Sequence, residues 1–231
     1  MRKFLVLAIS LIMVLSFAAC GNNNGGTSEN KGGSGSATVS KPVSSSAGAF
    51  NADEVEKNLA TTTYTWNDSS TYYAAIVVKN NSAMDCALTA NIIFKDENGQ
   101  TIGTDNATIY AFEKGTETCF VVSNEDAFAS FDYTYEASKT SMYKAATSSL
   151  SCETSTTSNK ASLSFTNNGS EEISGGYTVL FMLGDIVVER GIGFISNLAP
   201  GATKADESRF WNTKKDFDNV KVYYHGYILD I

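Results

Sequence analysis

The amino-acid sequence predicts an all-β fold made of two tandem antiparallel β-sandwiches. Thr, Val, Ile, Tyr and Phe occur in short runs separated by turn-forming residues, and the chain of 231 residues has only 2 prolines. Apolar and polar side chains alternate with a period of two within these runs, which is typical of antiparallel strands. The second half repeats the pattern of the first at a spacing of about 87 residues, so we expect the sandwich to occur twice.

The chain begins with the features of an export signal. Arg2 and Lys3 supply positive charge, residues 4–17 form an apolar run, and two alanines precede Cys20. The apolar run is too short to span a bilayer, which takes roughly 20 residues. We therefore expect a signal peptide over residues 1–19.

The hexapeptide at residues 15–20, Leu-Ser-Phe-Ala-Ala-Cys, resembles a bacterial lipobox. The resemblance implies that a diacylglyceryl group is joined to the Cys20 thiol and that the signal is cut before this cysteine. A lipoprotein of this kind is attached to the cell membrane by its lipid, outside the cytoplasm. The alternative interpretation is an ordinary secretory signal cut after Ala19, with no role for Cys20.

Residues 20–50 are predicted to form a flexible linker that begins with the lipidated cysteine. The segment is rich in Asn, Gly, Ser and Thr, so burial of apolar surface cannot offset the entropy of ordering it. About 28 residues of flexible coil have a typical reach of about 30 Å. By the lipoprotein resemblance, such a spacer suits a surface protein of a single-membrane (Gram-positive-type) bacterium, which must clear a thick wall.

Net charge limits the classes of partner. The chain has 17 Lys and Arg against 25 Asp and Glu, and removal of Arg2 and Lys3 with the signal leaves 15 against 25, a net charge of −10. Nucleic acids and anionic lipid headgroups both bind basic patches. We therefore expect no nucleic-acid partner, and we expect the lipid anchor rather than surface charge to hold the protein on the membrane.

The folded region is expected to start with a short helix over residues 51–59, capped by Asn51. The two sandwiches are expected at residues 60–137 and 148–231, with residues 138–147 as the segment that joins them. Each copy has the pattern of six or seven short strands.

The repeat rests on strands that match between the copies. Residues 76–81, Ile-Val-Val-Lys-Asn-Asn, correspond to residues 163–168, Leu-Ser-Phe-Thr-Asn-Asn, so an Asn pair ends the strand in both copies. Residues 92–94 correspond to residues 179–181 at the same offset. Compact turns follow in both copies, and they contain Gly or Asn, which tolerate positive φ.

Comparison of the copies predicts which side chains of each strand are buried. Both alternate sets of side chains in residues 72–78 are apolar, but the second copy has Ser162, Ser164 and Thr166 in one of the two sets. The residues expected inside are Ala74, Ile76 and Val78 in the first copy, then Leu88, Ala90, Ile92 and Phe94 in its next strand, and Gly175, Tyr177, Val179 and Phe181 in the matching strand of the second copy. We expect the opposite face of each sheet to contact solvent.

This order of motifs resembles the FxLYD-type and related immunoglobulin-like modules of bacterial lipoproteins. The residues that carry the resemblance are Asn80, Asn81, Phe94, Gly99 and Gly115 in the first copy, and Asn167, Asn168, Phe181, Gly184, Pro200 and Gly201 in the second. The resemblance implies two immunoglobulin-like domains that act as a surface binding or spacer module without catalytic residues.

Residues suited to catalysis or metal binding are sparse. His225 is the single histidine, expected on the solvent face or beside neighbouring tyrosines, and there is no Gly-x-Ser-x-Gly elbow. Neither a Cys-x-x-Cys motif nor paired histidines occur, and the acidic turn at residues 96–98 lacks the twelve-residue calcium spacing. We therefore predict that the chain is not an enzyme and has no cofactor and no metal.

Three cysteines follow Cys20 in the chain: Cys86, Cys119 and Cys152. Cys86 shares the inward set of its strand, where a small buried apolar side chain suffices. Free buried thiols are therefore expected, with one disulfide among the three as the alternative.

Five aromatic residues are candidates for contact with a ligand: Trp66, Tyr73, Trp211, Tyr223 and Tyr227. Tyr and Trp bury a large area at a small cost in side-chain entropy, which suits them to binding sites. The alternative is that they pack across a sheet or at the joint between the domains.

Three classes of function follow from these observations. The first is a non-catalytic, membrane-anchored module that binds a protein or glycan partner, or that presents its outer domain away from the cell. The second is a structural envelope protein that associates with itself through exposed edge strands. The third is an enzyme with an unrecognised site.

Cys20→Ser is expected to give a shed or an uncleaved product, because the variant lacks the thiol that would receive the lipid. Two acyl chains, at ~0.8 kcal/mol per buried methylene, hold a protein stably on a membrane. Membrane and soluble fractions of cells that express each form measure the difference. A processed Cys20→Ser protein that stays in the membrane pellet would contradict the anchor.

Overall fold

The computed structural model describes residues 49–68, 70–212 and 215–230. The expected signal at residues 1–19, Cys20 and the linker up to residue 48 lie outside the described residues. Within them, nearly all regular structure is antiparallel β-sheet, so the all-β prediction is confirmed.

A short helix and six strands make up the first half of the described chain. They are α1 (Ala52–Lys57), β1 (Leu59–Asn67), β2 (Tyr72–Asn80), β3 (Cys86–Lys95), β4 (Thr101–Phe112), β5 (Glu117–Asn124) and β6 (Ser130–Ser138).

The second half contains seven strands and one 3₁₀ turn. They are β7 (Tyr143–Ala145), the turn at Thr147–Ser149, β8 (Leu150–Thr157), β9 (Lys160–Asn167), β10 (Ile173–Leu183), β11 (Ile186–Leu198), β12 (Thr203–Arg209) and β13 (Asn219–Leu229).

Helix α1 begins at a capping residue and packs on the first core. The Asn51 side chain accepts a hydrogen bond from the Glu54 N–H at 3.2 Å, which satisfies one N–H of the first turn. Val55 is fully buried in the first core. The helix ends at Lys57 and Leu59 already belongs to β1, so the expected short helix is present and ends earlier than residue 59.

Both halves have the same sheet topology. In the first half, the sheet β1-β2-β5 faces the sheet β4-β3-β6, and all pairs are antiparallel. In the second half, β8-β9-β12 and β11-β10-β13 repeat these orders strand for strand. The sequence repeat is therefore also a repeat of structure. The domain boundaries at residues 60–137 and 148–231 stay a prediction.

The segment that joins the two halves is part of a sheet rather than a plain connection. Its strand β7 pairs antiparallel with β13, with Lys144 opposite Ile228. The sheet of the second half thus has the order β11-β10-β13-β7, one strand more than its counterpart in the first half.

Each half has an apolar core between its two sheets. All the residues predicted to point inward are buried there, so this prediction is confirmed. The same aromatic contact occurs in both cores, with ring centroids 4.8 Å apart for Phe94 and Phe128 and 4.9 Å apart for Phe181 and Phe217.

A third apolar cluster joins the two halves. It lies between the outer face of β1-β2-β5 and the outer face of β11-β10-β13, so the four sheets stack as four layers. We call this cluster the apolar joint. Its buried members are Trp66, Ala75, Val77, Cys119, Leu180, Met182 and Val187.

The expectation that each sheet has one face in solvent is wrong for β2 and β10. Ala75 and Val77 of β2 are buried in the apolar joint, while their neighbours Ile76 and Val78 are buried in the first core. The comparison between copies missed this because the strand that matches β2 in the second copy, β9, belongs to an outer layer. A middle layer must be apolar on both faces, and an outer layer need not be.

A buried asparagine ends β2. Asn80 has no exposed surface, and its side-chain N–H groups donate to the carbonyl oxygens of Met84 at 3.0 Å and Phe112 at 3.5 Å, while its side-chain oxygen accepts from the Ser82 N–H at 3.0 Å. The Asn80 carbonyl accepts from the N–H of Gly115 at 2.7 Å, where φ is +79°. A residue with a Cβ is strained at that φ, which explains this glycine.

Asn167 makes the same contacts at the end of β9. Its side chain donates to Glu171 at 2.8 Å and Leu198 at 2.7 Å and accepts from the Gly169 N–H at 2.8 Å. Its carbonyl accepts from the N–H of Gly201 at 2.8 Å, where φ is +72°. The Asn pairs found in the sequence therefore mark a polar corner that fixes two loops in each half.

Asn80→Ala is expected to lower the free energy of unfolding by about 3 kcal/mol, because it leaves a buried N–H and buried carbonyls unpaired at ~1–3 kcal/mol each. Asn81→Ala is the matched control, because Asn81 is exposed, and we expect a change within about 0.5 kcal/mol. Urea unfolding measures both variants. Equal losses for Asn80→Ala and Asn81→Ala would contradict the role of the buried amide.

Val77→Asn is expected to destabilise the protein by about 3 kcal/mol, because it places an amide without partners in the apolar joint. Ser164 occupies the matching position of the second copy on a polar outer face, so Ser164→Asn should cost less than about 1 kcal/mol. Thermal or urea unfolding of the two variants makes the comparison. A similar loss in both would show that the joint contributes little.

Candidate functional site

A cleft of about 670 Å³ opens beside the apolar joint, within the size range of small-molecule sites. We call it the joint cleft. The first half contributes Trp66, Asn67, Asp68 and Tyr73 from the β1–β2 hairpin, and the second half contributes Val188, Glu189 and Arg190 of β11 with Trp211, Asn212 and Lys215 after β12. Both halves are thus needed to form it.

An aromatic stack forms the wall from the first half. Trp66 and Tyr73 lie directly opposite each other on β1 and β2, and their rings stack with centroids 5.2 Å apart and planes 17° apart. Trp66 is only 8% exposed, because it also belongs to the apolar joint. The guanidinium carbon of Arg190 lies 4.9 Å from the centroid of the Tyr73 ring, a cation–π distance.

The Asp68 carboxylate is satisfied by groups of its own hairpin. It accepts hydrogen bonds from the N–H groups of Ser70 at 2.9 Å and Thr71 at 3.0 Å, and from the Tyr73 hydroxyl at 3.0 Å. These bonds, first among them the one from Ser70, and the nearby Arg190 charge lower the pKa of Asp68, so this carboxyl is ionised at neutral pH.

Glu189 fixes the segment that carries Trp211. Its Oε2 accepts hydrogen bonds from the backbone N–H groups of Trp211 at 2.9 Å and Asn212 at 2.8 Å. The indole of Trp211 is 70% exposed, and the Arg209 guanidinium carbon lies 5.9 Å from its centroid. The backbone under the indole is therefore held in place while most of the ring contacts solvent.

Arg190 has hydrogen-bonding capacity that the described residues do not use. Its Nε–H is shielded from solvent and has no partner, and the guanidinium makes no hydrogen bond or ion pair within the described ranges. An unpaired buried donor costs about 1–3 kcal/mol. Because the Nε–H is shielded, a ligand acceptor would pair with the terminal N–H groups of the guanidinium, which make no hydrogen bond to the described residues.

The structure brings together three of the five aromatic residues singled out in the sequence. Trp66, Tyr73 and Trp211 line the joint cleft, and only Trp211 exposes most of its ring. Tyr223 packs against the apolar joint, where burial raises the pKa of its phenol. Tyr227 packs on Tyr143, with ring centroids 4.8 Å apart. Contact of any of the five with a ligand stays a prediction.

Sequence reasoning missed the charged residues of the cleft. Glu189 and Arg190 follow two buried valines in a strand that contains no other charged residue. An adjacent pair of opposite charges in an apolar strand was the available signal. Nothing in the sequence singles out Asp68, because an acidic residue in a hairpin turn is ordinary.

His225 lies outside the joint cleft and is half-buried rather than on the solvent face. Its imidazole packs beside Gly176, where a Cβ would come within 3.0 Å of Cε1. Burial lowers the pKa of His225 to about 4, so the ring is neutral at pH 7.

The three cysteines in the described part of the chain are free thiols, as expected. Cys86 and Cys119 are buried, and burial raises the pKa of each to about 12. Cys152 is half-buried, and its pKa is also raised by burial. A thiol with a raised pKa is a poor nucleophile at neutral pH, because the thiolate is the reactive form.

The described residues contain no group of three or more His, Cys, Asp or Glu side chains placed to hold a metal ion. They also contain no helix long and apolar enough to cross a membrane.

Comparison with known proteins does not show a family for this chain. No protein-family model matches the chain, and no curated protein matches it. Among solved structures, that of red sea bream transglutaminase is similar over 72% of this chain and 29% of that chain, with 12% identity and a TM-score of 0.24. The chain therefore spans less than a third of that protein, and a similarity of this size carries no argument about function.

His225 is expected to reduce stability as the pH falls from about 6.5 to about 4. The unfolded chain has a histidine pKa of about 6.5 and binds the proton first, since the folded pKa is about 4. The ring is only half-buried, so we expect a loss of about 2 kcal/mol at pH 4.5 relative to pH 7.5. Urea unfolding of wild type and His225→Gln at both pH values isolates this effect. Equal pH dependence in the two proteins would contradict it.

Proposed function

We propose that this protein is a lipid-anchored, extracytoplasmic binding protein that holds a ligand in the joint cleft without catalysing a reaction. The observation that carries the proposal is the pairing, in one cleft, of an exposed Trp211 with an Arg190 guanidinium that has no hydrogen-bond acceptor among the described residues. Convergent polar groups around an aromatic surface are what small-ligand sites require.

The chemistry of the cleft favours binding over catalysis. The Asp68 carboxylate and Oε2 of Glu189 accept hydrogen bonds from the chain itself, and a carboxyl with a lowered pKa is a weak base. The groups that catalyse proton transfer or covalent chemistry most often, histidine and cysteine, lie elsewhere: none of His225, Cys86, Cys119 or Cys152 lines the cleft.

The proposed location follows from the lipobox resemblance at Cys20 and from composition. A lipid on Cys20 would attach the chain to the cell membrane, and the linker up to residue 50 would carry the sandwiches about 30 Å from that point. The negative charge of the mature chain leaves the membrane attachment to the lipid. The proposed partner is a glycan or protein outside the cell.

Self-association in the envelope is the second candidate. Ile192 and Phe194 are 52% and 71% exposed on β11, which lies at the edge of its sheet. Exposed apolar edge strands favour pairing with another chain. We place this function second because it leaves the groups in the joint cleft without a role.

The test is binding of the full-length lipidated protein, purified in mild detergent, to glycan and peptide arrays. We expect a ligand that Trp211→Ala weakens about thirtyfold, the effect of losing about 2 kcal/mol from an aromatic anchor. Tyr110→Ala is the matched control, because Tyr110 is 60% exposed and lies outside the cleft. Equal effects of the two variants, or no ligand together with oligomers that grow with concentration, would overturn the proposal in favour of self-association.

A further inference from the structure

We infer that the joint cleft recognises an acidic sugar, with the carboxylate of the sugar on Arg190 and a face of its ring against Trp211. This inference rests on the proposed function, because it names the ligand class of the same cleft. It follows from the donors of Arg190 that no described residue uses, from the exposure of Trp211 and from the polar groups of the remaining lining.

The internal hydrogen bonds of the cleft occupy its acidic side chains more than its basic ones. The Asp68 carboxylate accepts hydrogen bonds from three donors of the first-half hairpin. Oε2 of Glu189 accepts hydrogen bonds from two backbone N–H groups. The Arg190 guanidinium has no hydrogen bond or ion pair among the described residues, and Lys215 lies exposed on the same cleft. Two carboxylates and two cations line the cleft, so their formal charges cancel, and the donors that remain for a ligand acceptor belong to Arg190 and Lys215.

The geometry of Arg190 favours a carboxylate over a single neutral acceptor. A guanidinium presents its N–H donors as a planar fork that matches the two oxygens of a carboxylate. The guanidinium carbon lies 4.9 Å from the centroid of the Tyr73 ring, and this contact restrains the side chain before a ligand binds. Less side-chain entropy is then lost on binding.

Trp211 supplies the surface for a ring. Its indole is 70% exposed, yet its backbone N–H is bonded to Glu189, which adjoins Arg190 on β11. The ring surface and the cationic group both line the joint cleft. A ligand that contacts both needs an acid group and a flat face.

The remaining lining is polar, which favours a sugar over an aromatic acid. The amide oxygen of Asn67 accepts no hydrogen bond among the described residues, and Oε1 of Glu189 accepts none there either. Sugar hydroxyls both donate and accept, so they can pair with such groups. An aromatic ring would remove water from these polar groups and would supply no hydrogen bonds in place of those that the groups make to water.

The test compares three probes by titration calorimetry with the full-length lipidated protein in detergent. They are the trimer of galacturonic acid, the same trimer with every carboxyl methyl-esterified, and benzoate. The two trimers differ only in charge, and benzoate has the acid and a flat ring without hydroxyls. We expect the acid trimer to bind at least about tenfold more tightly than the ester or benzoate, as a charge-assisted contact implies.

Variants assign the contacts. Arg190→Gln should remove the preference for the acid trimer over the ester, Arg190→Lys should keep part of it, and Trp211→Ala should weaken both trimers by about tenfold or more. Lys144→Gln is the matched control for charge, because Lys144 is exposed, pairs with Glu171 and does not line the cleft. Unchanged melting temperatures exclude unfolding as the cause.

Each other outcome overturns the inference, and the array experiment separates it from the proposed function. Equal binding of acid and ester, tighter binding of benzoate, or a preference that survives Arg190→Gln would exclude recognition of an acidic sugar. If no trimer binds but a neutral glycan or a peptide on the arrays binds in a manner that depends on Trp211, only this inference is lost. If nothing depends on Trp211, both are lost.

Discussion

The apolar contact between the outer faces of two sheets is the constraint on which the rest of the structure depends. It requires β2 and β10 to be apolar on both sides, a pattern usually found in fully buried sheets rather than in antiparallel sandwiches. It also brings the Trp66–Tyr73 pair of one half beside Arg190 and Trp211 of the other. Without this contact each half would still be a sandwich, but the cleft would have only one wall.

The joint is formed by sheets that are not equivalent in the two copies. The sheet β1-β2-β5 of the first copy meets the sheet β11-β10-β13 of the second, whose own counterpart in the first copy is β4-β3-β6. A contact between unlike surfaces can in principle continue from copy to copy without closing. It stops here because the outward side chains of β9 in the last layer are polar, among them Ser162, Ser164 and Thr166. The stack therefore ends at four layers, in the way that polar capping repeats end other arrays.

The sequence predicts the sandwich well because its determinants are local. Strand period, turn residues and the Asn pairs at residues 80–81 and 167–168 depend on near neighbours in the chain, and the repeat supplied a second example of each. The apolar joint and the cleft depend on which outer face meets which, and Val77 in a joint has the same residue type as Val78 in a core. Comparison of the copies predicts a solvent-exposed face for β2, which is wrong, because the comparison assumes that matching strands have matching surroundings.

The candidate site likewise combines residues that the sequence indicates with residues that only the structure indicates. Trp211 and Trp66 are both candidates by sequence, as aromatic residues suited to binding. The structure leaves Trp211 70% exposed and places the Trp66 ring in the apolar joint. Arg190 is important because no described residue supplies an acceptor for its guanidinium, which is a property of three-dimensional surroundings and not of a motif.

The short connection between the halves limits how the cleft can open. Only residues 139–142 lie between the end of β6 and the start of β7, and β7 is held in the second half by its pairing with β13. A stretch of this length spans at most about 17 Å when fully extended. The second sandwich therefore cannot move far from the first. Any widening of the cleft is a rotation of one sandwich about residues 139–142, not a separation of two independent domains.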